Sequence, residues 1–152
     1  MKNYRLPKEF AEKWLAALRS GNYIQGGASL LSYEELGDLS VDINKKSYCC
    51  LGVACALTGI EERLYSGESF VSEDSNINIR YMLEKGYPIE LIGEEDLPYI
   101  LAALNDGVKI TSSLVDNYFS GISFRKPFVI GEIYKLNFFE IADFIEDNIE
   151  FY

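Results

Sequence analysis

Hydrophobic residues recur at helical spacing in three segments of the chain. In the first, Phe10, Trp14 and Leu18 repeat every four residues, which predicts a helix over about 7–20 whose apolar stripe faces a core. Gly21 then suits the left-handed residue that commonly follows a helix. The same spacing predicts helices over about 97–105 and 137–149. The segment 49–57 has no charged residue and predicts a short helix that is buried on nearly all sides.

The remaining segments are patterned less regularly. Residues 108–135 are rich in β-branched and aromatic residues and are broken by glycine and proline, which predicts two or three short strands. Weaker patterns predict a hairpin over 61–74, a helix over 76–85, and helical turns near 33–36 within the polar segment 32–47. With no repeat and no linker, residues 1–152 predict a single compact α+β domain, predominantly helical, with a small antiparallel sheet or hairpins.

The charge of the chain restricts its partners. It carries 14 basic and 24 acidic residues, a formal net charge of −10. This argues against general nucleic-acid binding and against an anionic membrane surface, since both need basic residues. It permits a cationic protein partner or a small anionic ligand in a local pocket, and homo-oligomerisation remains open. The absence of an apolar span or a signal-like start predicts a cytosolic protein.

The chain contains no histidine. This removes Ser-His-Asp and Cys-His catalysis and every metal site that needs imidazole, so no catalytic residue, cofactor or metal is assigned. Cys49, Cys50 and Cys55 fall within seven residues. They suit packing as small apolar side chains, although a thiol near a helix start can also be reactive. A zinc site would need a fourth ligand.

The last predicted helix separates apolar from acidic residues. Its acidic residues cluster on one side, with nothing local to offset their repulsion. Three interpretations stay open: a solvated face, an interaction surface for a basic groove, and a divalent-cation site. This acidic face comprises Glu140, Asp143, Glu146, Asp147 and Glu150.

Four pieces of sequence resemble a widespread family of small bacteriophage and prophage proteins. They are W-L-A-A-L-R-S-G-N-Y-I-Q-G at 14–26, Y-C-C-L-G-V-A-C at 48–55, L-A-A-L-N-D at 101–106 and F-E-I-A-D-F-I-E at 139–146. The resemblance implies a phage origin and action in the cytosol of an infected cell, and it supplies no activity. Residues 108–136 look like an insertion relative to the family and are the place to expect what is particular to this chain.

The shared motifs contain polar residues that core packing does not require. Three predicted helix ends carry them, so we hypothesise that they converge on one ligand pocket. The alternative is structural: Asn105 and Asp106 form a turn or cap, and Arg19 pairs with Asp106. The predicted pocket comprises Arg19, Tyr23, Gln25, Tyr48, Cys49, Cys50, Asn105 and Asp106.

These observations favour a non-enzymatic phage protein that inhibits host defence. Its partner would be a host defence protein bound through the acidic face, or a small nucleotide signal that it sequesters. In the second case Arg19 would contact phosphate and Tyr23 or Tyr48 would stack on a base. The alternative is a thiol-dependent enzyme that uses Cys49 or Cys50.

Overall fold

The computed structural model describes residues 4–27, 31–37, 40–57 and 96–152. Of these, residues 31–37 and 40–44 are described by their backbone alone. The hairpin predicted over 61–74 and the helix predicted over 76–85 lie outside the described residues. The helices are α1 (Lys8–Arg19), α2 (Cys50–Leu57), α3 (Leu97–Asp106), α4 (Ser112–Tyr118) and α5 (Phe138–Asn148). The strands are β1 (Tyr4–Leu6), β2 (Leu31–Gly37), β3 (Ser40–Tyr48), β4 (Val108–Lys109), β5 (Ile133–Tyr134) and β6 (Ile149–Phe151).

In the described part of the chain, four helices surround a hydrophobic core. Helix α1 packs against α2 and α5, α2 also packs against α3, and α3 packs against α5. Trp14 is fully buried among them, and its indole Nε1 donates to the Cys50 carbonyl at 3.0 Å, which satisfies the one polar group of the ring. The predicted α+β class is confirmed. No helix in the described part of the chain is long and apolar enough to cross a membrane.

The predicted helices over 7–20, 49–57, 97–105 and 137–149 are all present, with ends shifted by a residue or two. Helix α5 is fixed by a capping box: Asn137 Oδ1 accepts from the Glu140 amide, and Glu140 Oε1 accepts from the Asn137 amide. Helix α3 ends at Gly107, whose φ of +93° favours glycine.

Within the described residues, the strands form three two-stranded pairs. Strands β2 and β3 pair antiparallel, as do β4 and β5, whereas β1 and β6 pair in parallel. The last pair joins the two described ends of the chain, with Tyr4 opposite Ile149 and Leu6 opposite Phe151. The Lys8 amide extends it by donating to the Tyr152 carbonyl at 2.7 Å.

Two predictions from sequence are wrong in detail. The helical turns expected near 33–36 lie in strand β2. Residues 108–135 hold the short strands β4 and β5, but helix α4 lies between them, capped by Thr111 Oγ1, which accepts from the Leu114 amide at 3.1 Å. Leu114, Val115 and Tyr118 of α4 pack against the core while only partly buried, and seven residues are too few for their helical spacing to stand out from a strand pattern.

Candidate functional site

Asn105 lies at the centre of the residues predicted to form a pocket. Its side chain is fully buried at the end of α3 and uses its whole hydrogen-bonding capacity. Its Oδ1 accepts from Gln25 Nε2 and from the Cys50 amide, both at 3.1 Å. Its Nδ2 donates to the Gly26 carbonyl at 2.8 Å and to Asp106 Oδ1 at 3.0 Å. Asn105 therefore joins α3 to the start of α2 and to the segment after α1.

The tyrosines of the predicted pocket pack into the same junction. The rings of Tyr23 and Tyr48 meet edge to face with centroids 5.2 Å apart. The Tyr48 backbone accepts from the Gly26 amide at 2.7 Å and donates to the Ile24 carbonyl at 2.8 Å. The structure thus brings Tyr23, Gln25, Tyr48 and Asn105 together as a packed junction.

Both candidate thiols also lie in this junction. Burial raises the pKa of the Cys49 thiol to about 11, and burial likewise raises the pKa of Cys50 well above its ordinary value. The dipole at the start of α2 does not overcome this desolvation, so both thiols are protonated at neutral pH and are poor nucleophiles.

Two side chains accept from amides at the start of α2. Cys49 Sγ accepts from the Gly52 amide at 3.4 Å, and Asn105 Oδ1 accepts from the Cys50 amide at 3.1 Å. Within the described ranges, no group of three or more His, Cys, Asp or Glu side chains could hold a metal ion.

Arg19 belongs to a different cluster from the rest of the predicted pocket. Its guanidinium Nη2 donates to Asp143 Oδ1 at 2.9 Å and to Glu146 Oε2 at 2.7 Å. Hydrogen bonding to Glu146, followed by that to Asp143, raises the pKa of Arg19 further above its ordinary value. The alternative pairing of Arg19 with Asp106 is therefore not the one formed, because Arg19 binds the acidic face of α5.

The acidic face is opposed by basic residues that the sequence argument did not place beside it. Arg125 donates to both oxygens of Asp147 at 2.8 and 2.9 Å and approaches Asp143 at 3.2 Å. Two longer pairs, both at 3.7 Å, join Lys126 to Glu140 and Arg5 to Glu150. Five carboxylates thus face four basic side chains, which leaves a local net charge of −1 where five unopposed acids were expected.

A cavity of about 250 Å³ opens beside this ion-pair cluster, between α5 and residues 124–136. We call it the α5 cavity. Its apolar lining consists of Phe124, Tyr134, Leu136 and Phe144. The ring of Phe124 meets Tyr134 edge to face at 5.7 Å and Phe144 at 5.4 Å. The Tyr134 hydroxyl donates to the Lys126 carbonyl at 2.6 Å, which orients the ring and the adjacent main chain.

Asn148 holds the chain at Ser123, next to the lining residue Phe124, against α5. Its Oδ1 accepts from the Ser123 amide at 2.7 Å, and its Nδ2 donates to the Ser123 carbonyl at 2.8 Å and to the Phe144 carbonyl at 2.9 Å. Because the side chain is buried, these bonds fix the chain immediately before Phe124.

The charged lining of the cavity has both signs, and the two signs are neighbours: Arg125 lies 3.2 Å from Asp143, and Lys126 lies 3.7 Å from Glu140. Both guanidinium contacts to Asp143 use Oδ1, so its Oδ2 accepts no hydrogen bond from any described residue. Glu140 Oε1 is used by the capping box, while its Oε2 lies 3.7 Å from Lys126 Nζ, too far for a hydrogen bond. The cavity therefore retains acceptors on α5.

Hydrogen-bond donors remain on Lys126, beside these carboxylates. Lys126 Nζ spends one N–H on the Lys135 carbonyl at 3.1 Å and lies 5.6 Å from the centre of the Tyr134 ring. An ammonium has three N–H groups, so further donors remain for a ligand. The side chains of Lys126 and Arg125 are 50% and 54% exposed, so they are accessible from solvent.

Sequence reasoning did not identify Phe124, Arg125, Lys126 or Tyr134 as site residues. They lie in the segment 108–136, which was expected to carry what is particular to this chain. The available indication was S-F-R-K-P-F at 123–128, where two adjacent basic residues stand between aromatic residues in an otherwise acidic protein.

Comparison of the chain with protein-family models, with curated proteins and with solved structures finds no match. Its function has to be inferred from the chemistry of the site itself.

Proposed function

We propose that this chain is a non-enzymatic, phage-encoded binding protein that sequesters a small nucleotide signal of host defence in the α5 cavity. It would act in the cytosol of the infected cell. The observation that carries the proposal is the lining of the cavity, which combines aromatic rings with donors and acceptors that lie side by side. A nucleobase presents the matching features, a flat π surface with hydrogen-bonding groups around its edge.

The size of the cavity suits one base. An apolar cavity of about 150 Å³ is enough to hold benzene. The α5 cavity, at about 250 Å³, has room for a purine ring system but not for a whole nucleotide. The ribose and phosphate would therefore extend into solvent past the exposed ammonium of Lys126. A base in contact with aromatic side chains contributes about 1–3 kcal/mol to binding.

The competing functions have less support. A thiol enzyme would need a thiolate, and burial keeps Cys49 and Cys50 protonated. Imitation of nucleic-acid phosphates by the acidic face would need unopposed negative charge. Arg19 and Arg125 already bind three of its carboxylates within hydrogen-bonding distance. Any partner would have to displace them or tolerate them.

The proposal is tested by titrating the full chain with nucleoside monophosphates and cyclic nucleotides and measuring heat and thermal shift. We expect saturable binding of at least one of them. Lys126→Ala removes a charged donor and should weaken that binding about tenfold or more. Lys109→Ala is the matched control, because Lys109 is also exposed but lies in β4, outside the cavity lining.

A second measurement asks whether the ligand is present in the cell. The protein is purified from infected cells and denatured, and the released small molecules are identified by mass spectrometry. Recovery of a nucleotide from the parent chain but not from Lys126→Ala supports the proposal. Failure of every nucleotide to bind in the titrations, together with no nucleotide recovered from cells, would reject it.

A further inference from the structure

On the basis of the proposed function, we infer that the α5 cavity distinguishes between nucleobases and takes guanine, with the carboxylates of Glu140 and Asp143 accepting from its N1–H and N2–H groups. Carboxylates are acceptors only, so the α5 side of the cavity can pair only with donors. Among the common bases, guanine is the one that presents two adjacent donors along one edge.

The two carboxylates are placed together by the helix. Glu140 and Asp143 are three positions apart on α5, a spacing that puts side chains on the same face. Both line the cavity, and each retains an oxygen with no hydrogen bond from the described residues, Oε2 of Glu140 and Oδ2 of Asp143. The donors of guanine can be accepted by one carboxylate or shared between the two.

Lys126 lies beside Glu140, with Nζ 3.7 Å from Oε2, and so fits O6, the group next to N1–H on the same edge of guanine. Guanine carries two acceptors, O6 and N7, for which Lys and Arg are the usual partners. Lys126 retains unused N–H groups. Adenine, by contrast, would turn its N1 lone pair toward a carboxylate oxygen, and uracil offers a single N–H flanked by two carbonyl oxygens. Both arrangements leave an acceptor facing an acceptor.

Arg19 and Arg125 act as positioning residues in this arrangement. Both bind Oδ1 of Asp143, so they fix the carboxylate and direct its second oxygen away from their own donors. Arg19, which the sequence suggested as a phosphate ligand, would thus act on the ligand through Asp143.

The test compares GMP, IMP and AMP on the full chain by calorimetric titration. IMP lacks the N2 amino group, and AMP lacks both donors. We expect GMP to bind most tightly, IMP to bind about tenfold more weakly, and AMP to bind more weakly than IMP, because hydrogen bonds to charged groups are among the stronger ones.

Glu140→Gln should lower the preference for GMP over AMP by about tenfold, since it replaces an acceptor by an amide while retaining an oxygen for the capping box. Glu132→Gln is the matched control, being the same substitution at an exposed position outside the cavity lining. Thermal unfolding of both variants establishes that they are folded.

The outcomes separate the two hypotheses. Equal affinity for GMP and AMP, or an unchanged preference in folded Glu140→Gln, would overturn the guanine inference while leaving nucleotide binding intact. If no nucleotide binds at all, the proposed function fails and the inference fails with it.

Discussion

Replacing Asn105 by alanine should be among the most damaging single substitutions in the described part of the chain. The side chain makes four hydrogen bonds, to Gln25, Gly26, Cys50 and Asp106, and is fully buried. Alanine makes none of them. The effect depends on which of the four partners can find a replacement.

The partners differ in this respect. The amide of Cys50, a fully buried residue, would be left without its acceptor, which costs about 1–3 kcal/mol. Gln25 keeps its bond to the Leu136 carbonyl at 2.9 Å, and the exposed Asp106 can turn to water. Gly26 is only half-buried, so losing the hydrogen bond to its carbonyl costs less free energy. Adding the space vacated by the amide group gives a total loss of about 3–5 kcal/mol, against about 5–15 kcal/mol for the stability of a typical domain.

Urea unfolding followed by Trp14 fluorescence measures this loss. At about 1–3 kcal/mol per molar of urea, the midpoint should fall by roughly 1–5 M. Asn117→Ala is the matched control, because Asn117 is exposed on α4 and bonds only to Ser113 among the described residues. It should change stability by no more than about 0.5 kcal/mol.

A folded Asn105→Ala variant that loses less than about 1 kcal/mol, with an unchanged slope, would refute this reasoning. It would mean that water or a shifted backbone satisfies the Cys50 amide. In that case the junction would be open enough to admit a ligand, as the sequence-based pocket hypothesis supposed.

Two further predictions concern ionisation. Stability should fall between about pH 9 and pH 11, because the folded Cys49 thiol keeps its proton up to a pKa of about 11, whereas the unfolded thiol loses it near 9.0. The stabilising contribution of Cys49 is complete below pH 9 and lost by pH 11, about 2–3 kcal/mol in all. In urea titrations at pH 8.5 and 11, the free energy of unfolding of Cys49→Ala should therefore fall by less than that of the parent chain. An equal fall in both proteins would contradict the assignment to Cys49. Arg19→Ala should lower the free energy of unfolding by about 1 kcal/mol at low ionic strength and by less in 1 M salt. The control Lys13→Ala removes an exposed pair with Glu9 and should lower it by less. Equal losses of stability would show that the Arg19 cluster contributes no more than an ordinary surface pair.

The helices were predictable because their determinants are local. In α1 the repeat of Trp14 and Leu18 shows which side faces the core, and in α5 the capping box lies within four residues. Helix α4 was missed because it has seven residues, too few to show a helical period within a segment rich in β-branched and aromatic residues. Strand β2 was missed because its polar composition gave no clear period of two.

The charge balance of α5 was not predictable from a single sequence. Arg19 precedes Asp143 by 124 positions, and only the packing of α1 against α5 brings them together. For Asn105 the sequence showed that the residue is polar but not whether its side chain serves the fold or a ligand. A buried amide with four partners and a ligand-binding amide look alike in sequence, since both are polar residues in an apolar segment.

The parallel pairing of β1 with β6 has a kinetic consequence. Tyr4 and Ile149 are partners although nearly the whole chain lies between them, so closing this pair costs more chain entropy than any neighbouring contact. It can form at low cost only after α1 has docked on α5, which already brings the two strands near each other. The pair therefore belongs to the last stage of folding and to the first stage of unfolding, and substitutions in it should raise the unfolding rate more than they slow folding.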